Sequence, residues 1–182
     1  MTYLLRFAAL ALITALATPA VAGVDDFNQR LHLNVAAGWK YFDDKRQFSE
    51  NSEFHYGAEW RILPNWAVEA TLVRGETKAK SGQSARDGYY DIRLDGLYYF
   101  NMDFGWQPFV VAGIGETQFE DVGDTRFGER NEVRMNAGGG YRYIVSDRVS
   151  LRGALRGFYG PRDDTFDAVV TLGISLDFQL AD

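Results

Sequence analysis

Alternation with period two runs through the chain from Leu31 to Phe178. In its first stretch Leu31, Leu33, Val35, Ala37, Trp39 and Tyr41 are apolar, while His32, Asn34, Ala36, Gly38 and Lys40 between them are polar or small. Successive side chains of a β-strand point to opposite faces, so the stretch predicts a strand whose two faces differ. The same split recurs at Phe54–Ile62, Trp66–Leu72, Tyr90–Phe100, Val133–Tyr143, Val149–Leu155 and Phe166–Phe178. Between Phe109 and Phe119 both faces are apolar or small, and Val110, Ala112 and Ile114 are assigned to the apolar side. Eight strands result, and no stretch after residue 22 shows the i, i+3, i+4 spacing of an amphipathic helix.

The connectors alternate too. Asp43–Ser52, Gly75–Asp87, Gln118–Asn131 and Gly160–Thr165 are long and charged, whereas Leu63–Asn65, Asn101–Gly105 and Ser146–Arg148 are short. Bilayer-spanning barrels carry short turns at one end and long loops at the other. Strands of about 10 to 13 residues exceed the usual soluble length and match what crosses a bilayer at a tilt. Aromatics gather at strand ends, at Trp39, Tyr41, Trp66, Tyr90, Tyr98, Phe100, Tyr141, Tyr143, Tyr159, Phe166 and Phe178. Such rings favour the membrane–water interface. The predicted fold is all-β, an eight-stranded antiparallel up-and-down transmembrane β-barrel with its apolar faces toward lipid and its ionic faces toward the axis. An open edge in lipid leaves backbone groups unpaired at several kcal/mol each, so the first strand must meet the last. The competing reading, a soluble lipocalin-like barrel, puts the same apolar face inside.

Residues 1–22 read as a secretory signal peptide: Arg6 precedes the apolar run Phe7–Ala17, Pro19 breaks it, and Ala20-Val21-Ala22 has the small-x-small pattern of a cleavage site. The barrel domain is then 23–182. Only Arg6 is charged in the leader, so the remainder holds 18 basic and 25 acidic side chains, a net of −7. That balance argues against a nucleic-acid partner. With no Cys and only His32 and His55, thiolate metal centres, disulfides and His-rich metal sites are excluded, and no cofactor is expected.

Any chemistry must live on the inward faces. They carry the acids Glu59, Glu69, Asp91 and Asp95 and the bases Arg93, Arg134, Arg142, Arg152 and Arg156. Eight strands leave a lumen just wide enough for side chains to fill, and a buried charge must be paired. A salt-bridge network is expected in which Glu59 and Glu69 meet some of Arg93, Arg134, Arg142 and Arg152. It reads as a plug; partner exchange would instead make it a gate. No nucleophile elbow, phosphate loop or paired-histidine metal motif is present. The remaining catalytic constellation is Ser52, Glu53 and His55, and the overall expectation is a protein without catalytic residues. Gly138-Gly139-Gly140 lacks the strand-to-helix setting of a dinucleotide site and is read as close packing in the wall.

Leu94-Asp95-Gly96-Leu97-Tyr98-Tyr99-Phe100, Pro108–Gly115 and Asn136-Ala137-Gly138-Gly139-Gly140-Tyr141-Arg142-Tyr143, continued by Val149–Gly153 and Leu172–Phe178, resemble the amino-terminal barrel of OmpA/OprF-type outer-membrane proteins. The resemblance covers about residues 30 to 178. It implies residence in the cell outer membrane, a polar interior, and service in envelope integrity or surface contact, with slow solute passage or lipid modification as alternatives. Only four residues follow Phe178, so the peptidoglycan-binding domain of larger relatives is not expected. The partners implied are outer-membrane lipid, lipopolysaccharide and the assembly machinery, which would read Phe178 as a terminal aromatic signal; a monomer is expected.

Overall fold

A computed structural model describes residues 30–46, 51–78, 86–100, 105–119, 131–162 and 164–179; the expected signal peptide lies outside them. The strands are β1 (Arg30–Tyr41), β2 (Asn51–Arg61), β3 (Trp66–Lys78), β4 (Arg86–Tyr99), β5 (Trp106–Phe119), β6 (Asn131–Ser146), β7 (Val149–Gly160) and β8 (Thr165–Gln179). Each pairs antiparallel with its chain neighbour, and β1 pairs with β8 from Arg30↔Gln179 to Tyr41↔Ala168, which closes the barrel. No helix among the described residues is long and apolar enough to cross a membrane.

The faces sort as the alternation requires. Leu172 is 71% exposed and Leu155 and Phe166 are 59% exposed, whereas Glu59 is fully buried and Arg142 is 1% exposed. Val110 and Ile114 also point outward, which resolves the ambiguous fifth strand. On β8, Phe166 and Phe178 both face outward, twelve residues apart. A tilted strand covers about 30 Å along the axis over that distance, enough for the two rings to flank the ~25 Å apolar band of an outer-membrane barrel. At the short-turn end Trp66, Tyr98 and Phe100 form edge-to-face pairs at 5.0 and 5.1 Å, and Trp106 lies 4.8 Å from Tyr143.

The strands outrun the apolar rows at the long-loop end. The loop expected from Gly75 is instead ladder, with Gly75↔Tyr89 through Lys78↔Arg86 paired. Likewise β2 begins at Asn51 and β5 runs to Phe119. Backbone pairing needs no lipid; beyond the bilayer the outer face is free to be polar, as at the exposed Arg74 and Glu76.

Two of the three consecutive glycines of β6 are sterically required. A Cβ on Gly138 would lie 2.2 Å from the Leu155 carbonyl oxygen, and one on Gly140 2.2 Å from that of Gly153. These obstacles are backbone in the neighbouring strand and cannot rotate away. Gly138→Ala is expected to destabilise the barrel by about 1–3 kcal/mol, the usual range for overpacking. Gly96→Ala is the control: its Cβ meets nothing nearer than 3.9 Å and should leave the urea midpoint in micelles unchanged.

Candidate functional site

Register builds the lumen chemistry. Glu59 on β2 lies directly across from Glu69 on β3, and Glu69 across from Asp95 on β4, so three carboxylates form a row on one wall. Like charges placed opposite one another repel. The row stands because Arg142 and Arg152, themselves cross-strand neighbours on β6 and β7, reach over from the far wall together with Arg156.

Arg142 Nη2 donates to Glu59 Oε2 at 2.6 Å, and Arg152 Nη1 lies 3.5 Å from the same oxygen. Arg152 grips Glu69 with both terminal nitrogens, at 2.5 and 2.9 Å, and Arg156 Nη2 adds a bond at 3.1 Å. Arg156 Nη1 also donates to Asp95, whose other oxygen accepts from Asn136 at 2.7 Å. The Tyr99 hydroxyl lies 2.9 and 3.0 Å from the two oxygens of Glu59. Arg61, 4.3 Å from the Tyr99 ring, and Arg152, 4.8 Å from the Phe109 ring, stack on aromatics. Below this layer Ala67, Leu97, Tyr99, Phe109, Val111 and Ala154 form an apolar cluster toward the short turns.

Arg93 joins this network only through Asp95, and Arg134 stands apart from it. Arg93 donates to His55 Nδ1 at 2.7 Å and lies 3.5 and 3.7 Å from Asp95 and Asp91. Arg134 pairs with Asp167 at 2.5 Å and Glu132 at 3.4 Å. Arg134 precedes Arg142 by eight residues of one strand, about 27 Å along it, which puts Glu59 and Glu69 out of its reach. This outer layer also holds Lys40, 3.7 Å from Glu53 and 4.5 Å from the Tyr89 ring, and Glu53 itself, bonded to Tyr89 and, at 2.6 Å, to His55 Nε2. Sequence reasoning had left Glu53, Glu132 and Asp167 out of the network. The parity of Glu53 with His55 and Glu59, and of Glu132 with Arg134, was the signal that could have found them.

The Ser52–Glu53–His55 constellation does not assemble. Ser52 sits on the exposed face while Glu53 and His55 face the lumen, since adjacent strand residues point opposite ways. Among the described residues no group of His, Asp and Glu could hold a metal ion.

The closing seam has its own bonds. His32 pairs with Asp177, and Asn34 accepts from Ser175 and donates to Glu69 at 2.7 Å. Above them Lys45 Nζ reaches Asp164 Oδ2 at 3.0 Å. That hydrogen bond holds the Asp164 carboxyl below its usual range and raises Lys45, but both are exposed and such pairs contribute little. Phe178, opposite Leu31 on the seam, points outward.

The family model for the outer membrane protein beta-barrel domain matches residues 8–178. The chain belongs to the outer-membrane β-barrel family. Outer membrane porin F of Pseudomonas aeruginosa is 24% identical over 162 residues, covering 79% of this chain and 43% of the relative, so the chain spans under half of that protein. Among solved structures, this outer-membrane barrel resembles Neisserial surface protein A, with a TM-score of 0.65, 14% identity and coverage of 82% of this chain and 97% of that one. It also resembles the N-terminal β-barrel domain of Pseudomonas aeruginosa OprF, with a TM-score of 0.55, 20% identity and coverage of 81% and 97%. These likenesses concern the fold and, with the family match, the outer-membrane location.

Proposed function

We propose that this outer-membrane barrel is a closed structural element that supports envelope integrity and presents its long loops to surface partners, without catalysis. The observation that carries the reading is the lumen itself: Glu59, Glu69 and Asp95 are bridged across its width by Arg142, Arg152 and Arg156. The cavity beside Glu69, Arg152 and Arg156 is about 30 Å³, room for about two waters. A barrel of this kind works as a rigid peg in lipid. Its partners on this reading are outer-membrane lipid and lipopolysaccharide, with the assembly machinery acting through Phe178 during insertion, and it acts as a monomer.

The second reading is a low-conductance channel, favoured by Arg152, which sits 2.5 Å from Glu69 and 3.5 Å from Glu59 and has two carboxylates between which to move. The porin name of the related Pseudomonas protein speaks for the same reading. Planar-bilayer recording separates the two. The closed reading expects no conductance steps from the wild-type barrel and steps only once Arg152→Ala opens the layer. Wild-type steps whose open fraction changes in Glu59→Ala or Arg152→Ala would establish the gate.

A further inference from the structure

We propose that the outer wall at the long-loop end of β3 and β4 is a docking site for a phosphate of lipopolysaccharide, with Arg74 as its principal contact. The proposal rests on the reading that this lipid is a partner of the barrel and assigns the place where it binds. Among outward strand positions whose side chains are described, only Arg74, Glu76 and Glu116 are charged, and Arg74 is the one cation. Its neighbours fix its depth. Leu72, the next outward position below it, pairs with Tyr56 and Ile92, and all three are exposed to lipid. Arg74 itself pairs with Phe54 on β2 and Tyr90 on β4, rings of the kind that mark the interface. The guanidinium therefore stands at the first outward position beyond the hydrocarbon, and the long-loop end of such barrels is the external one.

No protein acid answers this charge. Among the described residues no carboxylate lies within 4.0 Å of Arg74, and its side chain makes no hydrogen bond. Its contact is the Tyr90 ring, with 5.6 Å from guanidinium carbon to ring centroid. A guanidinium resting on a ring keeps its edge free, and that edge is the fork that grips a phosphate by two hydrogen bonds. The row continues with further donors: Tyr90 pairs with Gln118 and Gln118 with Asn131, all outward and exposed. The chain after residue 22 is acidic overall, so its attraction to an anionic leaflet has to be local. Glu116, outward between Ile92 and Val133, is the acid of this sector. A divalent cation shared by its carboxylate and a lipid phosphate satisfies both anions, since such ions take oxygen ligands of either kind.

The test places the full chain in phosphatidylcholine vesicles containing diphosphoryl lipid A, in magnesium buffer, and counts lipid A retained on the released barrel by native mass spectrometry. Wild type is expected to retain it. Arg74→Gln keeps the stem and removes the charge, and should bind about tenfold more weakly, the worth of one hydrogen bond between charged groups. Arg74→Lys keeps the charge without the fork and should fall between the two. Lys45→Gln, which removes an exposed cation at the closing seam, should bind as wild type does. Equal retention by wild type and Arg74→Gln would overturn the assignment of Arg74 while leaving lipopolysaccharide a partner; retention by neither would overturn that wider reading too. Dephosphorylated lipid A retained as well as the diphosphoryl form would show that acyl chains and not phosphate are held, and would refute the site. Excess inorganic phosphate should leave the lipid in place; displacement would mean that the site takes a free anion and would equally refute it. The urea midpoint should also be higher with lipid A in the vesicle than without it for wild type, and Arg74→Gln should abolish most of that difference.

Discussion

Glu69→Ala is expected to lower the free energy of unfolding by about 3–5 kcal/mol, the range for removing one member of a buried ion pair. Glu69 is 2% exposed and its two oxygens accept four hydrogen bonds, from Asn34, twice from Arg152, and from Arg156. Truncation strands two guanidinium groups and one amide in a lumen with little room for water. The loss therefore reflects uncompensated charge more than the worth of the pair. That distinction is measurable: adding Arg152→Leu to Glu69→Leu removes both partners and should recover a large part of the loss, giving a coupling energy well above the 0.5 kcal/mol of independent sites. Urea unfolding in micelles, followed by tryptophan fluorescence and by the shifted migration of unboiled barrel on gels, supplies the values. A Glu69→Ala loss below about 0.5 kcal/mol, the size of a neutral surface change, would mean that the acid row and the arginines do not meet.

Parity is readable from a chain; depth is not. The alternation of Leu31 to Tyr41 or Phe166 to Phe178 assigns each side chain to a face because a strand repeats every two residues, and this was enough for the barrel and its polarity. The fifth strand was harder because Phe109 and Val111 are apolar yet inward, where they join Leu97 and Tyr99 in the lower plug, so both faces read alike. Ion partners were less legible still. Glu59 and Arg142 are separated by 83 positions, and whether they share a level depends on how far each strand is staggered along its neighbour. The stagger is accumulated around the whole barrel, so a list of inward charges contains Arg134 and Arg142 as equals although only Arg142 reaches Glu59. The ladder beyond Gly75 was missed for the opposite reason: once the outer face leaves lipid, the apolar row that marks a strand stops while the backbone pairing goes on.

Leu172→Arg, a change on the outer wall, is expected to cost about 2–4 kcal/mol in lipid vesicles, the range for a cation facing hydrocarbon near the bilayer midplane. Leu172 is 71% exposed and lies on β8 roughly midway between the outward rings of Phe166 and Phe178, paired with Ala37 on one side and Gly153 on the other. In a soluble barrel the same geometry would make Leu172 a surface residue, and the change to Arg would be neutral or favourable. Depth supplies the control. Phe178→Arg places the same charge beside the short-turn interface, where the cost falls to about 0–1 kcal/mol, so the two variants should differ by at least about 1 kcal/mol. Equal costs at the two positions, or no cost at Leu172, would contradict the lipid-facing orientation. Measuring equilibrium stability in vesicles keeps this test independent of assembly in the cell, because a Phe178 variant that is stable in vitro yet accumulates unfolded in vivo has lost a signal and not a contact.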